Sequence, residues 1–262
     1  PDLVKDPLDQ LGNPESKTLA FIRQYTREVV GRYKNSPAVW GWEFGNEYAL
    51  HADLPNAGQC PPPVWPALKT ALQRTSRDEL TSSALAAAFD AFAQAVRSLD
   101  PHRILVTGNA VPRPCAFHNK MKKSWKRDTP AQFESVFLRD NPAPFDTLCA
   151  HVYPKSGNEP YPCGAPDLSG LVAGLQSLAV KHRKPLFIGE FGAAATLPPE
   201  EESARFEELV SAIETNGVPL AALWVFDFAL QDKEWNVTFS NRRAYMLHRL
   251  AAANRSLRTP RR

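Results

Sequence analysis

Two hydrophobic periods alternate along the chain. From 15 to 34, Leu19, Ile22, Tyr25, Val29 and Tyr33 recur at helical spacing, and Ser36-Pro37 ends the run. AVWGWEF (38–44) follows as a short, nearly continuous apolar stretch, the mark of a buried strand. The pair then repeats. Helices are predicted over 79–98, 130–140, 167–182, 199–216 and 241–254, and strands over 103–109, 145–153, 185–191 and 219–228. Acidic residues open the helix at 199, where its dipole favours them. The stretches 45–65 and 110–129 read as long loops.

Strict alternation of helices and apolar strands predicts an α/β protein with a parallel sheet covered on both faces. The order, α-β-α-β-α-β-α-β-α-β-α, holds five strands, with no repeat and no linker, so residues 1–262 read as a single domain. The long loops follow strands, and the helix-to-strand connections are short. That asymmetry is the one expected of a (β/α)8 TIM barrel whose C-terminal face carries the active site.

Composition adds exclusions. Of 262 residues, 43% are hydrophobic and 23% charged, as in an ordinary globular protein. A net charge of +3 calls for neither nucleic acid nor an anionic membrane as partner. The basic run Lys120 to Arg127 reads as a solvated loop or helix end. No apolar run approaches the roughly 18 residues of a membrane span, and the opening PDLVKDPLDQ lacks the pattern of a signal peptide. Cys60, Cys115, Cys149 and Cys163 match no zinc pattern. Cys149 reads as a buried thiol. One disulfide among the other three would fit an oxidising compartment, which favours an extracellular or periplasmic location; four reduced thiols is the alternative.

The candidate chemistry stands at the strand ends. Asn46 and Glu47 follow the first strand, His151 and Tyr153 close the third, Glu190 closes the fourth, and Trp224 and Asp227 close the last. Two carboxylates among aromatic faces suit a sugar site, one carboxylate for acid/base work and one as nucleophile. A charged residue inside PLFIGEF needs a reason. Glu43 reads instead as a structural carboxylate pointing into the barrel. Trp42, Trp65, Trp125 and Trp235 are candidates for sugar subsites or for packing. No metal or organic cofactor is required.

WEFGNE resembles the strand-four motif of clan A glycoside hydrolases, and FIGEFGA resembles the strand-seven motif of glycoside hydrolase family 5, the cellulase and mannanase family. HVYP and Trp224 are similar to that family's strand-six and strand-eight positions. The resemblance covers 15–254. It implies a retaining β-glycoside hydrolase acting on β-glucan or β-mannan. Glu47 would protonate the leaving oxygen and later deprotonate water. Glu190 would form a covalent glycosyl-enzyme. Asn46 would bind the sugar 2-hydroxyl, Tyr153 would orient Glu190, His151 would lie near the acid/base, and Trp224 would floor the subsite. Apart from the resemblance, Trp235 is a candidate to line a sugar subsite or to pack, and Asp227 to bind a hydroxyl or to cap the loop. While Glu190 is an anion, its charge favours a protonated acid beside it; once it is esterified, that acid can act as base.

The chain departs from the family in two places. Tyr48 stands where a proline commonly follows Asn-Glu, and NEY occurs in some related clan A galactosidases. The family's first three strands, with an arginine and a histidine of the site, have no counterpart in residues 1 to 14. The expectation is therefore strands four to eight of a barrel, open at two edges and prone to self-association. The alternative function is a non-catalytic carbohydrate-binding relic. A barrel enzyme of other chemistry is disfavoured, because no strand end carries a metal cluster, phosphate loop or nucleophilic lysine.

Overall fold

A computed structural model describes residues 12–59, 79–154 and 165–258. The chain divides into two compact units, residues 1–149 and 150–262. Trp65, Cys60 and Cys163 lie outside the described residues, and with them the expected cysteine pairing; Cys115 and Cys149 are buried. Among the described residues, no helix is long and apolar enough to cross a membrane.

The first unit opens with α1 (Lys17–Tyr33), whose N-cap Ser16 accepts a hydrogen bond from the Leu19 amide at 3.1 Å. Its buried face is Leu19, Thr26 and Val30. Tyr25 and Tyr33, read from the sequence as part of the apolar face, point outward with Phe21. Aromatic residues satisfy a helical period whichever way they face; the packing partner decides. That partner is α2 (Ser82–Arg97), which brings Ala88 and Ala91 against Leu19. Strand β1 (Gly41–Glu43) runs parallel to β2 (Ile104–Val106), with Gly41 opposite Ile104 and Glu43 opposite Val106. A cluster of Phe89, Phe92, Leu105 and Phe145 fills the space beneath, and Phe44 meets Phe89 and Phe92 edge-on at 4.9 and 5.5 Å. Such aromatic contacts add about 1 kcal/mol each beyond burial.

Asp100 ties this ribbon to its lead-in. It accepts from Trp42 Nε1 at 2.9 Å and from Arg103 at 2.8 Å, while Arg103 also donates to the carbonyls of Lys34, Ser36 and Val39. Burial pushes the Asp100 carboxyl up, but the bonds from Trp42, Arg103 and the His102 and Arg103 amides outweigh it and hold the group down at about 2. Trp42 thus serves the core.

Two further helices belong to this unit among its described residues. α4 (Pro130–Asp140) carries a full capping box between Thr129 and Gln132, with proline in its first turn. α3 (Ala116–Lys122) lies where the sequence reads as loop. Its N-cap, Cys115, makes no side-chain cap; the Phe117 and His118 amides are met by Asp128, from beyond the helix, at 2.8 and 3.1 Å. A cap supplied from ten residues downstream leaves no local signature. The basic run from Lys120 spans the end of this helix and the exposed turn after it, where Trp125 is exposed too.

The second unit holds β3 (Leu148–Val152), in which the unit boundary falls, β4 (Leu186–Phe191) and β5 (Leu220–Leu223), hydrogen-bonded in that order. β4 and β5 are parallel. α5 (Leu168–His182), capped by Asp167, α6 (Pro199–Thr215) and α7 (Ala244–Arg258) alternate with them. Glu202 on α6 is fully buried. It accepts from Arg242 at 2.9 and 3.0 Å and from the Tyr245 hydroxyl at 3.1 Å, and Arg243 Nε stands 3.4 Å away. Burial, with the Glu202 charge, pushes the Tyr245 phenol up to about 12.

Among the described residues the strands are shorter than expected and form a two-stranded ribbon and a three-stranded sheet. β3 is buried at all five positions, as its apolar run implies. β1 is not: Glu43, read as a buried carboxylate, is exposed, and Trp40 just before the strand is 75% exposed. Among the described residues, β1 pairs on one side, with β2. β5 ends at Leu223, and a cis peptide bond joins Trp224 to Val225.

Candidate active site

Glu47 does not sit on a strand. The chain leaving β1 keeps following β2: Phe44 donates its amide to Val106 at 3.0 Å, and Glu47 donates its own to Gly108 at 2.8 Å. Glu47 then adopts the left-handed conformation, φ 57° and ψ 23°, which turns the chain into the 3-10 turn Tyr48–His51. A non-glycine residue there persists only when its surroundings impose it. Three residues do so. Gly108 has φ +70°, and a Cβ on it would stand 1.7 Å from the Gly45 carbonyl oxygen and 2.9 Å from the Glu43 carboxyl. Only glycine lets the two segments close. Asn109, almost fully buried, accepts from the Ala49 amide at 3.2 Å and donates to the Asp140 carbonyl at 2.7 Å. Arg113 donates to the carbonyls of Ala49 at 3.1 Å, Ala52 at 2.7 Å and Leu50.

Around that turn lies a buried set of charges. Asp53 accepts from the Ser82 amide at 3.2 Å and faces Arg139, which bonds Asp140 at 2.8 Å. Burial pulls the Arg113 guanidinium down, opposed by Asp140 and Asp53; burial pushes the Asp140 carboxyl up, opposed by Arg139 and Arg113. Glu47 itself is half-buried, and Asn46 beside it is exposed.

In the second unit a different device holds Glu190. Leu186, Ile188 and Glu190 alternate along β4, all buried, so the carboxylate shares a face with two core residues. The Tyr153 hydroxyl donates to Glu190 Oε2 at 2.7 Å. His151, buried on β3, presents Nδ1 to the same oxygen at 3.4 Å. Trp235 meets the Tyr153 ring edge-on at 5.0 Å. Gly192 makes room for this: a Cβ there would stand 2.7 Å from the Trp224 carbonyl oxygen and 3.6 Å from the Trp235 ring.

Trp224 continues the ladder, its amide donating to Phe191 at 2.9 Å, and its indole N–H donates to Gln231 Oε1 at 2.9 Å. Asp227 has a left-handed backbone, an exposed side chain and an amide bonded to the Val237 carbonyl at 3.1 Å. Arg243 fastens both loops, donating to the carbonyls of Ala193 and Asn236. In this unit, His151 and Glu190 are a pair of potential metal donors. The Tyr153 bond suits a hydrogen-bonded carboxylate.

Within the second unit the structure thus joins His151, Tyr153, Glu190 and Trp235, with Trp224 across the Gly192 gap, while Asp227 faces solvent. In the first unit it joins Glu47 to Gly108, Asn109 and Arg113, which sequence reasoning passed over. The Gly-Asn pair ending RILVTGN was the available signal, since glycine at a strand end often marks a close backbone approach. Nothing local marked Arg113, Gln231 or the Glu202 pair.

The model of the family Cellulase (glycosyl hydrolase family 5) matches residues 8–229. No curated protein matches significantly. Among solved structures, the chain is similar to an endo-β-1,4-mannanase from Thermotoga petrophila (TM-score 0.59, 13% identity, covering 92% of this chain and 51% of that one). It is also similar to an endo-1,4-β-mannanase from Rhizomucor miehei (0.59, 14%, 92% and 63%) and an endoglucanase from Pseudomonas stutzeri (0.52, 15%, 91% and 63%). The chain therefore spans between half and two thirds of the length of these structures. At such identities the likeness establishes the fold, part of a (β/α)8 barrel.

Proposed function

Because the chain belongs to the cellulase family, glycosyl hydrolase family 5, we propose that it hydrolyses β-linked glucan or mannan with retention, Glu190 being the nucleophile and Glu47 the acid/base. The observation that carries this reading is the buried Glu190 carboxylate at the end of β4, bonded through Oε2 to Tyr153. A buried carboxylate held by one oxygen is aimed.

With Oε2 engaged by Tyr153, attack on the anomeric carbon falls to Oε1. Glu47 gives its proton to the departing glycosidic oxygen, and a covalent glycosyl-enzyme forms. Water then enters; Glu47 takes its proton, the water oxygen bonds to the anomeric carbon, and Glu190 leaves as carboxylate. Two inversions give net retention, which requires the carboxyl groups to stand about 5 to 5.5 Å apart. Asn46 holds the 2-hydroxyl, and Trp224 and Trp235 offer ring faces to the sugar. The mannanase and endoglucanase neighbours support the choice of β-glucan and β-mannan.

The test is covalent trapping with 2-fluoro β-glucosides and β-mannosides, located by peptide mass mapping. Label on Glu190, absent in Glu190→Gln, together with retained configuration in the product, is the expected result. Sugar binding with neither label nor turnover would replace this reading with a carbohydrate-binding one.

A further inference from the structure

The turn that follows Glu47 is held by its neighbours, and the most heavily engaged of them is Arg113. A short 3-10 turn satisfies few of its own carbonyls; here that of Ala49 accepts from the Ala52 amide at 3.3 Å. Arg113 meets the carbonyls of Ala49, Leu50 and Ala52 with both terminal nitrogens. Its remaining donor, Nε, bonds Asn119 Oδ1 at 3.1 Å, and Asn119 is itself fully buried on α3 and bonded to the Ser124 carbonyl at 2.9 Å. The plane of the guanidinium is therefore fixed from one side while it grips the turn from the other. Asn109 takes the Ala49 amide on the same turn.

We propose that Arg113 is a positioning residue for Glu47, holding the left-handed backbone that aims its carboxyl at the leaving-group oxygen. This rests on the assignment of Glu47 as acid/base. It also gives α3 a purpose, since the helix supplies the anchor for the arginine. Lysine cannot substitute: a point charge on a flexible stem reaches one carbonyl where the planar fork reaches three.

The experiment uses the full chain with Arg113→Ala and Arg113→Lys, and two readouts. The first is kcat/KM on a 2,4-dinitrophenyl glycoside, whose leaving group needs no proton, against a phenyl glycoside, whose leaving group does. A misaimed acid lowers the phenyl value by about 100-fold and leaves the dinitrophenyl value within ~5-fold, because proton donation is the only step impaired. The second is amide hydrogen exchange over residues 47 to 52, expected to quicken there in both variants. Equal loss on both substrates, or unchanged exchange in the turn, overturns the proposal. Should Arg113→Ala fail to fold, Arg113→Lys carries both readouts. A wild type inactive on both glycosides would remove the assignment of Glu47 instead, and the exchange data alone would then decide whether Arg113 holds the turn.

Discussion

The two candidate catalytic glutamates are held in opposite ways. Glu190 is a strand residue, buried among apolar neighbours and gripped by its side chain, through Tyr153. Glu47 lies past the end of its strand, half-buried, in a backbone conformation that glycine and asparagine prefer, and it is gripped by its main chain, through Gly108, Asn109 and Arg113. The difference matches the proposed tasks. A nucleophile needs one fixed line of attack. An acid/base must serve two oxygens in turn, first the leaving group and then water, so a firmly fixed backbone beneath it suits the task.

The contrast is broken most severely at Gly108. Gly108→Ala would place a Cβ within 1.7 Å of the Gly45 oxygen, so we expect a loss of more than about 4 kcal/mol in denaturant unfolding. A variant of near wild-type stability would show that the first unit tolerates separation of these segments. Next is Glu202→Ala, which leaves the almost fully buried Arg243 without its carboxylate. About 3 to 5 kcal/mol should be lost, with faster exchange in the loops around Ala193 and Asn236.

Tyr153→Phe sharpens the comparison. It removes one hydrogen bond to a charged group, about 1.5 to 3 kcal/mol, and this should appear in kcat/KM as a fall of roughly 10- to 150-fold with unchanged melting. Equal activity would mean that His151 and packing suffice to aim Glu190. The smallest expected effect belongs to Asp100. Its folded value, about 2, lies below the ordinary 3.8. The stability it contributes is thus complete above pH 4 and is lost as pH falls from about 4 to 2. We expect Asp100→Asn to flatten the acid limb of the unfolding curve by about 1 to 2 kcal/mol across that window. A limb as steep as that of wild type would assign the acid sensitivity to other carboxylates.

How much of this was legible depended on the range of each interaction. The order of helices and strands was visible because apolar spacing is local: Leu148 to Val152 is an unbroken apolar run but for His151, and every position is buried. α3 was not, because Asp128 caps it from outside. Glu43 was misplaced because alternation tells which residues share a face, and among the described residues β1 has one strand beside it rather than two. The two glutamates were conspicuous as charged residues at the ends of apolar runs, whereas the residues around Glu47 were silent.

The sequence by itself determined the alternating α/β architecture and the candidate residues Glu47, Glu190, His151, Tyr153 and Trp224, since periodicity and a misplaced charge are properties of a few neighbouring positions. Tertiary structure alone decided that Gly108 must lack a side chain, that Arg113 grips the turn after Glu47, and that Arg243 meets Glu202. Each of these joins positions some 40 to 65 residues apart, and a contact of that separation forms only when the packed core brings its ends together.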